Sequence, residues 1–276
     1  MTTSSPATGA HIYIITGASG GLGRGIAQTL SKRATEQHPL TLVLVGRNKE
    51  RLALTEAAAK GPHVRTHAVS GVDLMSLAQD TTSLIMDALA SALEQANDQG
   101  APALVALINC AGTISDLSKS IGDYAEQEIL AYTQVNFVSY ASLTTAFLRD
   151  TARYGSARIC IVNISSLLAI EAFPNWGLYA AIKAARDQYL KVAAKEHAGC
   201  ANVKFLNYAP GPLDNDMQAD VRRQIKDPEQ NKLYTDMHLQ KKLVKVADTS
   251  RVMCDLLDSW DFESGAHIDY FDVVPA

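Results

Sequence analysis

The chain has 276 residues, 47% of them apolar, and a formal net charge of −4 at pH 7. That is enough apolar material for one substantial core, and the mild negative balance makes no electrostatic case for nucleic acid or an anionic membrane surface. Cys110, Cys160, Cys200 and Cys254 form no CxxC pair, so neither a metal site nor a disulfide framework is expected.

The opening MTTSSPATGA lacks the apolar stretch of a secretory leader, and no run is long enough to span a bilayer. The expected location is the cytoplasm, with residues 1–10 a disordered tail and 11–276 one domain. The first element is a short apolar strand, Ile12 to Ile15, running into TGASGGLG and then a helical pattern. Gly17, Gly21 and Gly23 follow TGxxxGxG, a variant of the dinucleotide-binding turn, with Ser19, Gly20 and Leu22 between them. Glycine serves where the backbone must approach a pyrophosphate without a Cβ in the way, and the helix start offers free N–H groups to the phosphates.

A second strand, Leu40 to Val45, ends in Gly46-Arg47-Asn48. A site for NAD usually places an acid near this point for the ribose 2′-hydroxyl. Here Arg47 stands instead, and a guanidinium suits a 2′-phosphate, so NADP(H) is the expected cofactor. A solvated residue at a helix start is the other reading of Arg47. The third strand, Val64 to Val69, precedes Asp73-Leu74, where the carboxylate can accept from an adenine amino group. A fourth strand leads into Asn109-Cys110-Ala111-Gly112, small enough for backbone to lie near the adenosine ribose.

Ser166 follows the fifth strand, and thirteen residues later come Tyr179 and Lys183, four apart in LYAAIKAARD. On a helix these two share a face. A phenol with a pKa near ~10 is a poor acid or base at neutral pH, but a neighbouring cation favours the phenolate. The arrangement suits proton delivery to a carbonyl, with Ser166 hydrogen-bonding its oxygen. Half-buried packing is the alternative for a helical tyrosine, and the glycine turn upstream is what selects the chemical reading. Strands are expected at 11–16, 40–46, 64–69, 104–109, 157–164, 202–208 and 266–270. Their alternation with helices predicts a doubly wound, mostly parallel seven-stranded α/β sheet of Rossmann type. Residues 212–245 are charged and irregular and follow a strand's carboxyl end; they read as a mobile lid over the substrate or as a solvated helical excursion.

With TGASGGLG, NCAG, Asn136, Ser166, Tyr179-x-x-x-Lys183 and Pro210-Gly211 in order, the chain resembles the short-chain dehydrogenase/reductase superfamily over residues 11 to 272. Within it, NISSLLAIEAFPNWGLYAAIKAARD, LNYAPGPLDNDM and SGAHIDYFD are most similar to the sepiapterin reductases. The resemblance implies Tyr179 as proton donor, Lys183 on the nicotinamide ribose, Ser166 polarising the carbonyl, and Asn136 holding a water that resupplies the proton. Pro210, Gly211 and Leu213 would lie against the nicotinamide, with Asn215, Met217 and Gln218 reaching the carboxamide and diphosphate. Asp269 would anchor the 2-amino-4-oxo ring of a pterin, a donor pair that a carboxylate accepts in bidentate fashion. Phe173, Trp176 and Leu167 would wall the substrate, although each also fits a core.

Three departures stand out. Gly20 takes the place of a basic residue common in the family's turn, Cys110 that of a second Asn, and Asn215 that of a Thr. The implied activity is NADPH-dependent reduction of the side-chain carbonyls of a pterin, as in tetrahydrobiopterin synthesis. A broad diketone reductase and a non-catalytic NADP(H) sensor are the alternatives; four intact catalytic residues argue against the sensor. A homodimer through helices at about 124–154 and 178–197 is also implied.

Overall fold

The structure is a computed structural model and describes residues 8–76, 78–97 and 101–275. Strands β1 (His11–Thr16), β2 (Leu40–Val45), β3 (Val64–Val69), β4 (Leu104–Asn109), β5 (Arg158–Ile164), β6 (Val203–Ala209) and β7 (His267–Asp269) pair in the order β3-β2-β1-β4-β5-β6-β7. Every pairing is parallel, so the sheet among the described residues is wholly parallel rather than mostly so. Helices α1 (Gly21–Ser31), α2 (Lys49–Ala58), α3 (Ala78–Asn97), α4 (Glu126–Thr133), α5 (Ser139–Thr151), α6 (Gly177–Glu196), α7 (Asp216–Gln224), α8 (Pro228–Leu239), α9 (Val246–Ser259) and α10 (Tyr270–Val273) complete the fold.

The strands are near-continuous apolar runs because both faces of a parallel sheet are covered. Period-two alternation then assigns each side chain to a layer. Tyr13, Ile15, Leu42, Leu44, Ala106 and Ile108 pack towards the face carrying Ile26 of α1 and Met253 of α9. Ile12, Ile14, Val43, Val105 and Leu107 face Ile85 and Leu89 of α3, Phe147 of α5 and Leu190 of α6. The strand order reverses between β1 and β4, and ligands of open α/β sheets bind at the carboxyl ends of strands beside such a reversal.

Strand limits agree with expectation to within one or two residues, the usual scatter of such boundaries. Of the tail expected at 1–10, residues 1–7 lie outside the described residues. Gly9 N–H donates to Gln37 O at 3.1 Å and Ala10 is buried, so the packed structure begins before β1. The irregular region 212–245 is a two-helix excursion closed at its base. Leu213 and Val244 form a parallel bridge, with Val244 N–H donating to Pro212 O at 2.8 Å. Val221 and Ile225 of the excursion join Leu117, Leu168 and Trp176 in a small separate core. Among the described residues no helix is long and apolar enough to cross a membrane, and no group of three or more His, Cys, Asp or Glu could hold a metal ion.

Candidate active site

At the carboxyl ends of the strands lies an open cleft of about 1490 Å³, whose lining includes Gly17, Arg47, Tyr234, Asp269 and Phe271. Its floor begins at the glycine turn. Gly17 has φ 69°, and a Cβ on Gly23 would lie 2.5 Å from Gly17 O, so the turn folds only without a side chain there. Thr16 Oγ1 accepts from the N–H groups of Cys110 (3.1 Å) and Ala111 (3.0 Å), tying the turn to the NCAG segment. Helix α1 has no side-chain cap at its N-terminus, which leaves its first N–H groups to an anion. This uncapped, Cβ-free cradle fits the diphosphate of a dinucleotide.

Most of the expected site residues line the cleft: Ser19, Gly20, Gly21, Leu22, Arg47, Asp73, Leu74, Ala111 and Gly112 on the nucleotide side, and Pro210, Gly211, Leu213, Asn215, Met217 and Gln218 across from them. Four do not. Gly23 lies beneath Gly17. Asn48 is the N-cap of α2, its Oδ1 accepting from Arg51 N–H at 2.7 Å. Asn109 is buried, its Nδ2 donating to Thr144 Oγ1 at 3.3 Å. Asn136 is buried inside a π-helical turn, Gln134–Val138, between α4 and α5. Its Oδ1 accepts from Thr113 N–H at 2.9 Å and its Nδ2 donates to Tyr132 O at 3.0 Å. The wider turn lets a mid-helix asparagine bridge to the loop after β4 without breaking the helix.

The catalytic candidates meet in the middle. Ser166 ends β5's loop, its Oγ accepting from Leu168 N–H at 3.2 Å and hydrogen-bonding Tyr179. Burial raises the Tyr179 pKa, opposed by the Ser166 hydrogen bond and by the charge of Arg186. The phenol therefore holds its proton at neutral pH. Lys183 Nζ lies 5.4 Å from the Tyr179 ring centroid and donates to Ile164 O at 2.6 Å. Burial and the neighbouring Arg186 push its own pKa down to about 7. A second cation on this face of α6, Arg186, also acts on Tyr179 and lowers its pKa.

Arg186 is 1% exposed and follows Tyr179 and Lys183 along one stripe of α6. Its guanidinium donates to Asn109 O (2.9 Å) and Ala111 O (3.3 Å) and stacks 4.2 Å from the Tyr140 ring. A guanidinium stays charged at any working pH, so a fixed cation sits under the site. Beside it, Asp187 accepts from Ser165 Oγ (2.6 Å) and Asn163 Nδ2 (2.9 Å) and meets His267 Nδ1 at 2.6 Å. These contacts lock β5, β7 and α6 together. No role for Arg186 or Asp187 is read from the sequence; their only local signal is the spacing after Lys183, and His267 enters only within SGAHIDYFD.

The substrate end is built differently. Trp176 is buried, packing edge-on against Tyr179 (5.2 Å) and Tyr234 (6.3 Å), so it supports the cleft as core as well as walling it. Leu167 is exposed and Phe173 half-buried, both on the cleft. Asp269, at the end of β7, is the N-cap of α10 and accepts from Phe271 N–H at 2.9 Å. Burial, and less so the Asp272 carboxylate, raise its pKa above the usual carboxylate range. A carboxylate has about four acceptor positions, so capping a helix leaves room for a ligand's donors.

Comparison with known proteins follows the same lines. The model of the short chain dehydrogenase family matches residues 11–226. A sepiapterin reductase of Xenopus tropicalis is 37% identical over 269 residues, covering 96% of this chain and 98% of that protein. A benzil reductase ((S)-benzoin forming) of Bacillus cereus is 25% identical over 254 residues, covering 91% and 96%. Among solved structures, a short-chain dehydrogenase/reductase of Saccharomyces cerevisiae superposes with a TM-score of 0.76 at 21% identity, covering 94% of this chain and 96% of that one, a likeness of fold.

Proposed function

The chain belongs to the short-chain dehydrogenase family, oxidoreductases acting on carbonyl and alcohol groups with a nicotinamide cofactor, and from that premise we propose that it reduces the side-chain carbonyls of a pterin with NADPH. The observation that carries the substrate is Asp269, half-buried and lining the same cleft as Ser166, Tyr179 and Lys183. The 2-amino-4-oxo edge of a pterin is a donor pair, and its binding offsets the burial that disfavours the Asp269 anion. Arg47, at the carboxyl end of β2 with no acid in Gly46-Arg47-Asn48, supports the phosphorylated cofactor.

Bound NADPH supplies the hydride. Gly17 to Gly23 and the uncapped start of α1 take its diphosphate, and Asp73 accepts from its adenine. Lys183 would hold the nicotinamide ribose, and Pro210, Gly211 and Leu213, which line the cleft, would lie against the nicotinamide. Ser166 Oγ and Tyr179 Oη converge on the carbonyl oxygen, and Tyr179, kept protonated by burial, delivers its proton as negative charge develops there. Asn136, bonded to the loop after β4, holds the route by which that proton is restored.

The cleft's apolar walls, with Leu167 exposed at its mouth, and the benzil reductase relatives favour a second reading, reduction of bulky vicinal diketones. The two are separated by following NADPH absorbance with sepiapterin and with benzil. Turnover of sepiapterin at micromolar concentration is expected; turnover of benzil alone overturns the pterin assignment. The exposed Leu130 of α4, Val138 beside α5 and Val192 of α6 support a homodimer through those helices, with a doubled mass expected by light scattering.

A further inference from the structure

We propose that Arg51 is a second ligand for the 2′-phosphate of the cofactor and occupies the space that a side chain at residue 20 would otherwise fill. The inference rests on the NADP(H) reading above and adds to it a residue of α2 outside the strand end.

Gly20 is the starting observation. Its φ of 176° is extended backbone that any residue adopts, so conformation does not demand glycine there. A Cβ at this position would lie 2.7 Å from Arg51 Nη2, and the three nearest heavy atoms outside the turn's own chain neighbours all belong to that one guanidinium. The glycine therefore makes room for the head of Arg51, which lies over the turn where a dinucleotide's adenosine end arrives.

The base of Arg51 is pinned and its tip is lightly held. Arg51 N–H donates to Asn48 Oδ1 at 2.7 Å. Arg24 Nη2 donates to both Ser19 O (2.9 Å) and Arg51 O (3.2 Å), and Arg24 Nε to Thr55 Oγ1 (3.0 Å), stapling the glycine turn to α2. The only carboxylate paired with Arg51 among the described residues is Asp216, 3.8 Å away across the cleft. The two side chains are 55% and 99% exposed, a setting in which an ion pair is worth little. Arg47 and Arg51 both line the cleft, four residues apart across the start of α2. Two guanidinium groups lining one cleft suit a phosphate dianion, which competes for them better than a single exposed carboxylate. Glu50, the nearest acid in the chain, does not line the cleft.

The test is direct binding, measured calorimetrically with NADPH and with NADH on the full-length protein and on R51Q, R47Q and the double variant G20R/R51Q. We expect R51Q to raise the NADPH Kd about tenfold, the effect of one lost charge-assisted contact, and to leave the NADH Kd within about twofold. The double variant, which restores a guanidinium from the other side of the same space, should recover most of that loss. Loss of NADPH affinity in R47Q but none in R51Q overturns the proposal. Equal weakening of both cofactors by R51Q overturns it too, by making Arg51 a support of the turn alone. A wild-type protein that binds NADH as tightly as NADPH instead brings down the underlying cofactor reading, and that outcome is visible before any variant is made.

Discussion

The two halves of the cleft are built on different principles. The nucleotide half is backbone and central sheet: glycine turns, the uncapped start of α1, and a Thr16 hydroxyl tying two loops within 3.1 Å. The substrate half is assembled from late additions to the chain, namely the 212–245 excursion, its small core around Trp176, and the Asp269 cap of α10. Ser166, Tyr179, Lys183 and Arg186 lie where the halves meet. On the function proposed above, reaction type rests with the residues at the junction and substrate choice with the appended half, so that each should be open to disturbance without the other.

The largest separation should come from Tyr179→Phe, which removes the proton and little else. We expect kcat to fall about 10²- to 10⁴-fold with the cofactor Kd changed less than about threefold, by steady-state kinetics beside fluorescence titration. Retained turnover would sink the proton-donor role. Next, Arg186→Met strips two backbone carbonyls of their buried partner and should destabilise the protein by about 2–4 kcal/mol in urea unfolding. A loss under about 0.5 kcal/mol would mean that water replaces the guanidinium and that the two halves are not joined through it.

The substrate half should respond to Asp269→Ala with a kcat/KM on the pterin lower by about 10- to 100-fold and diketone turnover within about threefold. Equal losses on both substrates would show that Asp269 matters only as the cap of α10. The smallest effect concerns Lys183. Its pKa of about 7 in the fold lies below the ordinary 10.5 of the free chain. Between those values the unfolded chain binds the extra proton, so this group's contribution to stability rises with pH above about 7 and is lost as pH falls through it. Without cofactor, the wild type should gain on Lys183→Met by up to about 1 kcal/mol per pH unit between pH 7.5 and 9, read from urea midpoints; a flat difference refutes the shift.

Much of this was legible in the sequence because local rules carry it. The apolar runs of Ile12 to Ile15 and Leu40 to Val45, the TGxxxGxG turn, and the i, i+4 pairing of Tyr179 with Lys183 each express a short-range period. What the local rules do not carry depends on partners distant in the chain. Arg186 in KAARD looks like a solvated helical arginine until Asn109 and Ala111, more than seventy residues away, come to surround it. Asp187 finds His267 eighty residues on. The acid–base state of Lys183 is set by burial, which spacing does not report. Asn48 is a different case: an asparagine directly before a helical run is an N-cap signature, so this role was legible locally. Asp269 likewise carries a capping role, with Asp272 three residues on closing the box.

The bridge between Leu213 and Val244 gives the excursion a property beyond its present shape. Because its two ends are clasped side by side, the intervening thirty residues are a closed loop, and the entropy of closing a loop grows only slowly with its length. A longer or shorter connection between α7 and α8, beyond Gln218, therefore closes the same clasp at little added entropic cost. A lineage, or an engineer, can alter there the wall formed by Leu233, Tyr234 and Met237 while keeping the residues expected to hold the cofactor.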